Sequence, residues 1–441
     1  MKLSLPALLV VALCAAPLLH AEAVKDREGA VRSDRTAMES NDRWIYNDVD
    51  AGFTAAQKSG KPLLVVLRCV PCKACMGIDA SILKSAELQP LLDQFVCVRV
   101  INANALDLTL FQFDYDLSFS TLFFNADHTV YGRYGSWQHQ RDANDATTAG
   151  YKAALEAALA VHRTYPANKS ALAAKQGGPA PFKTPVEIPA LAGKYERELN
   201  WKGNVVQSCV HCHQIGDAFR AWHRSQGTPI PPELIYPMPA PETIGLTLNP
   251  ERCATVKEVT PDSLAAQAGL HPGDDLLAAN GAPLLSIADF AWALHRSPEE
   301  GDLRLLARRA GAAQEITVHL PAHWRWKTDI STRVGTWPMR AMATGGLKLE
   351  PLPPEKRTAL GLAPGTLALQ VARVGEYGPH GAAKKAGFQK DDILIEAGGL
   401  TSDLTESEFL GRLLTAHPQK SDVKAIVLRG QQRVELMLPM Q

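Results

Sequence analysis

Three of the chain's eight cysteines, Cys69, Cys72 and Cys75, lie within seven residues, in the sequence RCVPCKACM. An apolar run of strand length precedes them at residues 62–67, and helix-forming residues follow. Thiols at the junction of a buried strand and a helix can exchange disulfides, because the helix N-terminus and the adjacent Lys73 favour the nucleophilic thiolate. Both C-x-x-C spacings fit, Cys69–Cys72 and Cys72–Cys75. A structural disulfide or a buried cysteine cluster is the alternative interpretation.

The elements that would position these thiols form a pattern over residues 40–165. Apolar residues at 88, 91, 92 and 95 share one face of a helix, and residues 95–101 predict a strand. Residues 121–124 and 129–131 predict a hairpin, and Tyr151, Leu155 and Leu159 mark one stripe of a closing helix. Residues 24–50 are charged and polar, so we expect a solvated lead-in there.

This order of strand, dithiol, helix, strand, hairpin and helix resembles the thioredoxin fold, and the spacing from Pro62 to Cys72 is similar to the family's spacing. The resemblance implies that Cys72 attacks a substrate disulfide and that Cys75 resolves the mixed disulfide, with Cys69 as an additional catalytic thiol. The family places a cis-proline opposite the dithiol, where this chain has Ser120. A cis bond before a residue other than proline costs about 3 kcal/mol, so a trans bond is expected. Three clustered thiols without that proline could also hold a metal.

A second motif, SCVHCH, ends in the C-x-x-C-H pattern of Cys209, Cys212 and His213, the attachment signal for a c-type haem. Two thiols at this spacing can add to the two vinyl groups of one porphyrin, and His213 then serves as an axial ligand of the iron. Met238 or His223 is a candidate sixth ligand. Haem c is therefore the predicted cofactor.

The same residues allow other interpretations. Zinc could be held by Cys209, Cys212 and His213, with His211 or His223 as a further ligand. A disulfide or two free thiols is the third possibility. On their own, His211 and His223 are expected at the surface.

The N-terminus and the composition indicate the compartment. Residues 1–23 contain Lys2, an apolar core and a small-residue end, which predicts a signal peptide and a periplasmic or secreted protein. No later segment is long and apolar enough to span a membrane, so the mature protein is not expected to do so. The 46 basic and 46 acidic residues balance, which argues against nucleic-acid binding.

The remaining chain predicts a linker, a short C-x-x-C-H segment and two repeats. Residues 166–189 are rich in Ala, Lys, Pro and Gly and are expected to bury little surface, and residues 190–240 form the mainly helical segment of the second motif. Residues 240–321 resemble a PDZ domain, on the series AGL, GDDLL and NG. The resemblance implies that Ile244, Gly245 and Leu246 form the loop that binds a peptide's terminal carboxylate, and that residues 288–295 form the helix beside the peptide groove. A more divergent copy covers residues 355–441, after a joint at residues 322–354 that contains three tryptophans.

The sequence therefore predicts a multidomain chain: an α/β thioredoxin-like domain, a C-x-x-C-H segment and two β-rich PDZ-like domains. This arrangement resembles the bacterial thioredoxin-like/PDZ (seleno)protein family. The resemblance implies redox chemistry at the thiol cluster. We therefore expect an exported thiol–disulfide oxidoreductase whose PDZ modules bind protein or peptide C-termini, with exported proteins that carry disulfides as its partners. A non-catalytic haem electron-transfer or scaffold protein with structural thiols is the alternative.

Overall fold

A computed structural model describes residues 26–70, 82–117, 119–135 and 147–441 of the chain. The predicted signal peptide and the predicted redox residues Cys72 and Cys75 lie outside the described residues. Cys69 and the whole of the second motif lie within them.

The first unit is a five-stranded sheet with helices on both faces. Its elements are α1 (Arg27–Glu39), β1 (Trp44–Tyr46), α2 (Val49–Ser59), β2 (Leu63–Arg68), a 3-10 turn (Ala86–Leu88), α3 (Gln89–Leu92), β3 (Val96–Val100), β4 (Phe119–Phe124), β5 (Val130–Gly135) and α4 (Thr148–Arg163). The strands lie in the order β1-β3-β2-β4-β5. Strands β1, β3 and β2 are parallel to one another, β4 is antiparallel to β2, and β5 is antiparallel to β4. The predicted strands, hairpin and closing helix are confirmed.

Strand β2 is the centre of this sheet, and all six of its side chains are buried. Leu64 and Val66 pack into one core with Tyr151 of α4, while Val65 packs into the opposite core with Phe53 of α2. A strand covered on both faces reads as a continuous apolar run, as this one does. The position of the end of β2, and with it the backbone of Cys69 that follows, is therefore set by packing on both faces of the sheet.

The predicted solvated lead-in is wrong, because residues 26–46 belong to the sheet domain. Asp26 caps α1 by accepting the Gly29 N–H, and Val31 of α1 is buried. The Asp34 carboxylate pairs with the guanidinium of Arg99 in β3. Charged residues that would be solvated in isolation are held here by partners on the sheet.

The peptide bond before Ser120 is trans, as predicted, since the Tyr165–Pro166 bond is the only cis bond in the described part of the chain. Ser120 lies within β4, opposite Leu67 of β2.

The segment expected to be an exposed linker is packed instead. It contains α5 (Lys169–Leu172) and 3-10 turns at Ala173–Lys175 and Pro185–Glu187. Leu172, Lys175 and Thr184 are each 1% exposed. The segment was predicted to be a linker from its composition alone. Composition does not show that Lys175 is paired with the buried carboxylate of Asp289.

The C-x-x-C-H segment contains α6 (Cys212–Ser225) and α7 (Pro232–Ile235). Most of the residues between 190 and 211 form turns. Val205, Val210 and Ile215 are buried, so the turns are anchored by apolar side chains.

The elements of the first PDZ-like unit are a 3-10 turn (Pro241–Ile244), β6 (Leu246–Leu248), β7 (Val256–Val259), α8 (Leu264–Gln267), β8 (Asp275–Ala279), β9 (Ala282–Pro283), α9 (Ile287–Arg296), β10 (Gly301–Arg309) and β11 (Ala312–Leu320). Its strands form two small sheets, in the orders β11-β10-β8-β9 and β6-β7.

The joint and the second PDZ-like unit contain a 3-10 turn (Trp324–Lys327), α10 (Thr336–Thr344), β12 (Leu347–Pro351), α11 (Pro354–Ala359), β13 (Leu369–Val374), a 3-10 turn (Gly378–Gly381), α12 (Ala382–Lys385), β14 (Ile393–Ala397), α13 (Glu406–Ala416), β15 (Asp422–Arg429) and β16 (Gln432–Pro439). The five strands of this unit form one sheet in the order β12-β13-β14-β15-β16. Strand β12 lies inside the predicted joint, so this unit begins before residue 355. The hexapeptides TIGLTL (243–248) and TGGLKL (344–349) occupy corresponding positions, at the start of β6 and of β12.

Within the described residues, no helix has the length and apolar character needed to cross a membrane.

Candidate functional site

Cys69 directly follows β2 and contacts a histidine of the second motif. Its Sγ lies 3.3 Å from Nδ1 of His211, which is 142 positions further along the chain. Cys69, His211, Cys209 and Cys212 all line the same pocket. The structure therefore brings a thiol of the first cysteine cluster together with the C-x-x-C pair of the second motif.

This pocket is small and mostly apolar. Its cavity measures about 30 Å³, which is room for about one water molecule. The apolar side chains that line it come from α1, from the ends of β2 and β3, and from the turns before α6: Val31, Leu67, Val70, Val100, Ile101, Leu199, Val205, Val206 and Val210. The sulfur atoms therefore lie in a setting that largely excludes water.

Burial has a direct effect on the two thiols of the second motif. It raises the pKa of Cys209 to about 11, and the thiol contacts the carbonyl of Ile101 at 3.5 Å. The pKa of Cys212 is raised further, first by burial and then by its proximity to Cys69 and Cys209, because nearby thiolates repel one another. Both thiols are therefore protonated near neutral pH, and disulfide exchange here needs a base.

His211 is positioned to act as a base toward Cys69, with 3.3 Å between its Nδ1 and the Cys69 sulfur. Burial lowers the pKa of His211, and the neighbouring His213 and Arg27 lower it further, so the imidazole is neutral near pH 7. A neutral imidazole nitrogen can accept a thiol proton. His211 was expected at the surface and is partly buried. The sequence gives no sign of its contact with Cys69, because the two residues belong to distant segments.

Two side chains hold the second motif against the sheet domain. Asn104, which is fully buried, donates from Nδ2 to the carbonyls of Glu196 (2.7 Å) and Ser208 (2.8 Å), and its Oδ1 accepts the N–H of Val210 (2.7 Å). The Glu28 carboxylate of α1 accepts the two consecutive N–H groups of residues 205 and 206, each at 2.9 Å. These contacts fix the chain on both sides of Cys209.

Haem c at Cys209 and Cys212 stays a prediction. It needs both thiols to face a space the size of a porphyrin, whereas the described residues leave a cavity of about 30 Å³ beside them. His213 carries its imidazole beside the Asp217 carboxylate, with 3.5 Å between Nδ1 and Oδ2.

The proposed sixth ligands lie elsewhere. Met238 packs against Ala291 and Trp292 of α9, and its N–H points to His295 at 3.4 Å. His223 lies near the end of α6, with its ring against Trp222. Neither residue lines the cysteine pocket.

The zinc alternative has no support in the described part of the chain, where no three His, Cys, Asp or Glu side chains are arranged to hold a metal ion. Cys209, Cys212 and His213 in particular do not form such a group. The second motif is therefore best described as a pair of partly buried thiols beside Cys69.

The predicted carboxylate-binding loop lies at the start of the first PDZ-like unit. Ile244 and Leu246 have their side chains in the core, at 1% and 0% exposure, so the backbone is what the loop can offer a peptide. Gly245 has φ +84, and a Cβ there would lie 2.1 Å from the Cβ of Ser263, so only glycine fits. Its N–H donates to the Glu242 carbonyl at 3.0 Å.

Helix α9, which the PDZ resemblance assigns to the peptide groove, is attached to the sheet domain. The Asp289 carboxylate of α9 accepts the N–H of Arg133 in β5 at 2.9 Å and pairs with the Lys175 ammonium at 2.8 Å. Trp292 of α9 donates to the Ala174 carbonyl at 2.9 Å and lies under the Arg133 guanidinium. The first PDZ-like unit is therefore fixed to the domain that carries Cys69.

The corresponding groove of the second unit is bridged by its own residues. Glu406, the first residue of α13, accepts the N–H of Leu349 in β12 at 2.8 Å. Its carboxylate also forms a two-point pair with the Arg340 guanidinium, at 2.9 and 2.6 Å. A carboxylate of the chain itself thus occupies the space between the strand and the helix.

Comparison with known protein families agrees with this architecture. A family model described as thioredoxin-like matches residues 44–126, and a PDZ domain model matches residues 255–309. The chain carries a thioredoxin-like domain and a PDZ domain. This combination is consistent with the thioredoxin-like/PDZ family that the sequence resembles.

Two curated relatives are both named probable periplasmic serine endoprotease DegP-like. The protein from Pseudomonas savastanoi pv. phaseolicola is 26% identical over 176 residues, which cover 40% of this chain and 35% of the relative. The protein from Halomonas elongata is 29% identical over 170 residues, which cover 36% of this chain and 32% of the relative. The chain thus spans about a third of the length of the curated relatives that it matches.

Among solved structures, the serine endoprotease from Yersinia pestis is similar at 29% identity. The match covers 18% of this chain and 28% of that protein, with a TM-score of 0.16. An HtrA-type protease solved with a decapeptide is 18% identical, and that match covers 42% of this chain and 53% of the protease with a TM-score of 0.23.

Proposed function

We propose that this chain is an exported thiol–disulfide oxidoreductase whose first PDZ domain holds protein partners beside the thiol cluster. The observation that carries the proposal is the contact between Cys69 and His211 at the end of β2 in a thioredoxin-like domain. A thiol beside a neutral imidazole, in a pocket that excludes water, is an arrangement suited to thiolate chemistry.

In the proposed reaction, the Cys72 thiolate attacks a substrate disulfide and Cys75 resolves the mixed disulfide. Cys69 extends the same cluster into the pocket that contains His211. The cluster then holds two electrons in its reduced form and releases them to the substrate as its own disulfide forms.

Export is the second part of the proposal. The apolar N-terminal segment, with its small-residue end, supports it, and both curated relatives are named as periplasmic proteins. Disulfides persist in that compartment, so a thiol–disulfide oxidoreductase finds its substrates there.

Recruitment by the first PDZ domain is the third part. PDZ domains bind extended peptides by adding them to a sheet edge. The contacts of Asp289 and Trp292 attach α9 to the thioredoxin-like domain, so a bound partner is kept at a limited distance from the thiols, which raises its effective concentration. In the second unit, Glu406 bridges the groove, which supports a structural role for that unit.

The catalytic part is tested by reduction of a small aromatic disulfide by the full mature chain. Cys72→Ser should abolish multiple-turnover activity, because the attacking thiol is lost. Cys253→Ser is the matched control and should retain it, since the Cys253 thiol points to the Ala153 carbonyl and lies outside the pocket. Full activity in Cys72→Ser would refute the assignment, and loss of activity in Cys69→Ser alone would move the reacting pair to Cys69–Cys72.

The recruitment part is tested on the wild-type chain, because Gly245 cannot be replaced without a clash inside the domain. Peptides from a C-terminal library should bind with a free carboxylate and lose at least tenfold in affinity when the same peptides are amidated. Equal affinities, or no binding across the library, would contradict carboxylate recognition by residues 244–246.

A further inference from the structure

We propose that Cys209 and Cys212 form a second redox pair, which exchanges disulfides with the thioredoxin-like cluster through Cys69. This inference rests on the proposed function, because the second pair would exchange disulfides with the cluster of Cys69, Cys72 and Cys75 in the same chain. Neither the family models nor the relatives assign a role to the second motif.

The geometry carries the inference. Cys69, Cys209 and Cys212 line one cavity of about 30 Å³, and the thiols of Cys209 and Cys212 belong to a C-x-x-C sequence that can close as a disulfide. His211 lies between the two cysteines in sequence, and its Nδ1 is 3.3 Å from the Cys69 sulfur. The two motifs thus share one buried site with a base.

The surroundings suit exchange within the chain. The pocket has mostly apolar walls, and Cys69, Cys209 and Cys212 are all partly buried in it. In sequence, Cys69 belongs to the cluster that contains Cys72 and Cys75. A C-x-x-C pair that shares a pocket with one thiol of a second cysteine cluster can store two electrons or pass them on.

The exchange can be written with all atoms accounted for. His211 takes the thiol proton of Cys69, and the resulting thiolate attacks the Cys212 sulfur of a Cys209–Cys212 disulfide. The Cys69–Cys212 bond forms, the Cys209–Cys212 bond breaks, and Cys209 leaves with the electron pair and takes the proton from His211.

In the second step a thiol of the first cluster, Cys72, loses its proton and attacks the Cys69 sulfur. The Cys69–Cys72 bond forms and Cys212 leaves as a thiolate, which takes up the proton. Two electrons and two protons have moved, so the first cluster is oxidised and the pair of the second motif is reduced. The same steps in reverse pass electrons back to the first cluster.

Electron counting tests this inference on the full mature chain. The protein is fully reduced, freed of reductant and mixed with an excess of a small disulfide substrate. The wild type should consume two equivalents of disulfide per chain in forming internal disulfides, one for each pair. The double variant with Cys209→Ser and Cys212→Ser should consume one, because a single Cys→Ser change leaves a thiol that can still pair with Cys69. Cys253→Ser, the control, should consume two.

Trapping provides a second measurement. In Cys209→Ser the resolving thiol of the second motif's pair is missing, so mild oxidation should leave Cys69 and Cys212 joined. Mass spectrometry of the digested protein should detect this cross-linked peptide in Cys209→Ser and not in Cys253→Ser.

The outcomes separate the two proposals. If the wild type consumes no disulfide, the proposed function fails. If it consumes one equivalent and Cys209→Ser yields no Cys69–Cys212 peptide, the oxidoreductase proposal stands and the second redox pair is overturned. Covalent haem on Cys209 and Cys212 of the exported protein would also overturn it, because both thiols would then be thioethers.

Discussion

Replacing Asn104 with leucine should release the second motif from the sheet domain. Leucine has a similar volume but no polar atoms, so Asn104→Leu leaves the carbonyls of Glu196 and Ser208 and the N–H of Val210 without their partner. Each such bond contributes about 1 kcal/mol, and a buried group left unpaired costs about 1–3 kcal/mol. The three together give a loss of at least about 3 kcal/mol, concentrated in the turns that carry Cys209.

A loss of this size has a measurable consequence for the Cys209 thiol. Since about 1.4 kcal/mol changes an equilibrium tenfold, local opening of the segment should become about a hundredfold more frequent. Alkylation of Cys209 by iodoacetamide, followed by mass spectrometry of the reduced protein, should accelerate by a comparable factor.

Asn102→Leu is the graded control, because the Asn102 side chain donates one bond to the same segment, at 3.0 Å to the Arg197 carbonyl, and otherwise accepts only the N–H of Asn104, at 3.1 Å. We expect an acceleration of about fivefold in this variant, which corresponds to about 1 kcal/mol. An alkylation rate in Asn104→Leu no greater than in Asn102→Leu would show that Asn104 does not anchor the motif.

Two further predictions concern thiol reactivity and the domain interface. In the reduced chain, Cys72 should be alkylated faster near neutral pH than Cys97, because burial raises the pKa of Cys97 to about 12; equal rates would contradict the placement of Cys72 at a helix start. Asp289→Ala should lower the free energy of unfolding by about 3–5 kcal/mol in urea titrations, because it leaves the buried Lys175 ammonium without its carboxylate, and a loss below about 1 kcal/mol would refute this reasoning. The control is Asp302→Ala, whose pair with a histidine is exposed and should contribute about 1 kcal/mol or less.

The strands and helices that the sequence predicts correctly are those whose local apolar pattern matches their burial. Residues 63–67 and 96–100 are apolar runs that become buried strands, and the stripe of Tyr151, Leu155 and Leu159 packs into the core as α4. Such patterns depend on neighbours a few residues away, so one sequence is enough to detect them.

Local pattern does not reveal a charged residue that depends on a distant partner. The segment before β1 is attached to the sheet through the pair of Asp34 with Arg99, and the supposed linker is anchored through the pair of Lys175 with Asp289. The predicted start of the second PDZ-like unit, residue 355, lies too far along the chain. Strand β12 (Leu347–Pro351) pairs with β13 and so belongs to the unit, but it lies before the repeated residues from which the boundary was predicted.

The second motif shows the same limit in its chemistry. The spacing of Cys209, Cys212 and His213 is compatible with haem, zinc or disulfide chemistry, and spacing alone does not choose among them. The choice depends on the volume around the thiols, which is determined by how the turns between residues 199 and 210 pack on the ends of β2 and β3.

That packing also determines which residues can act together. Asn104 follows β3, Glu28 belongs to α1, and both hold the turns on either side of Cys209, so the second motif is attached to the end of the sheet from which Cys69 emerges. Disulfide exchange between the two motifs needs their thiols close together, and His211 of the second motif already contacts the Cys69 sulfur. The two cysteine motifs are therefore better explained as parts of one site than as two separate centres.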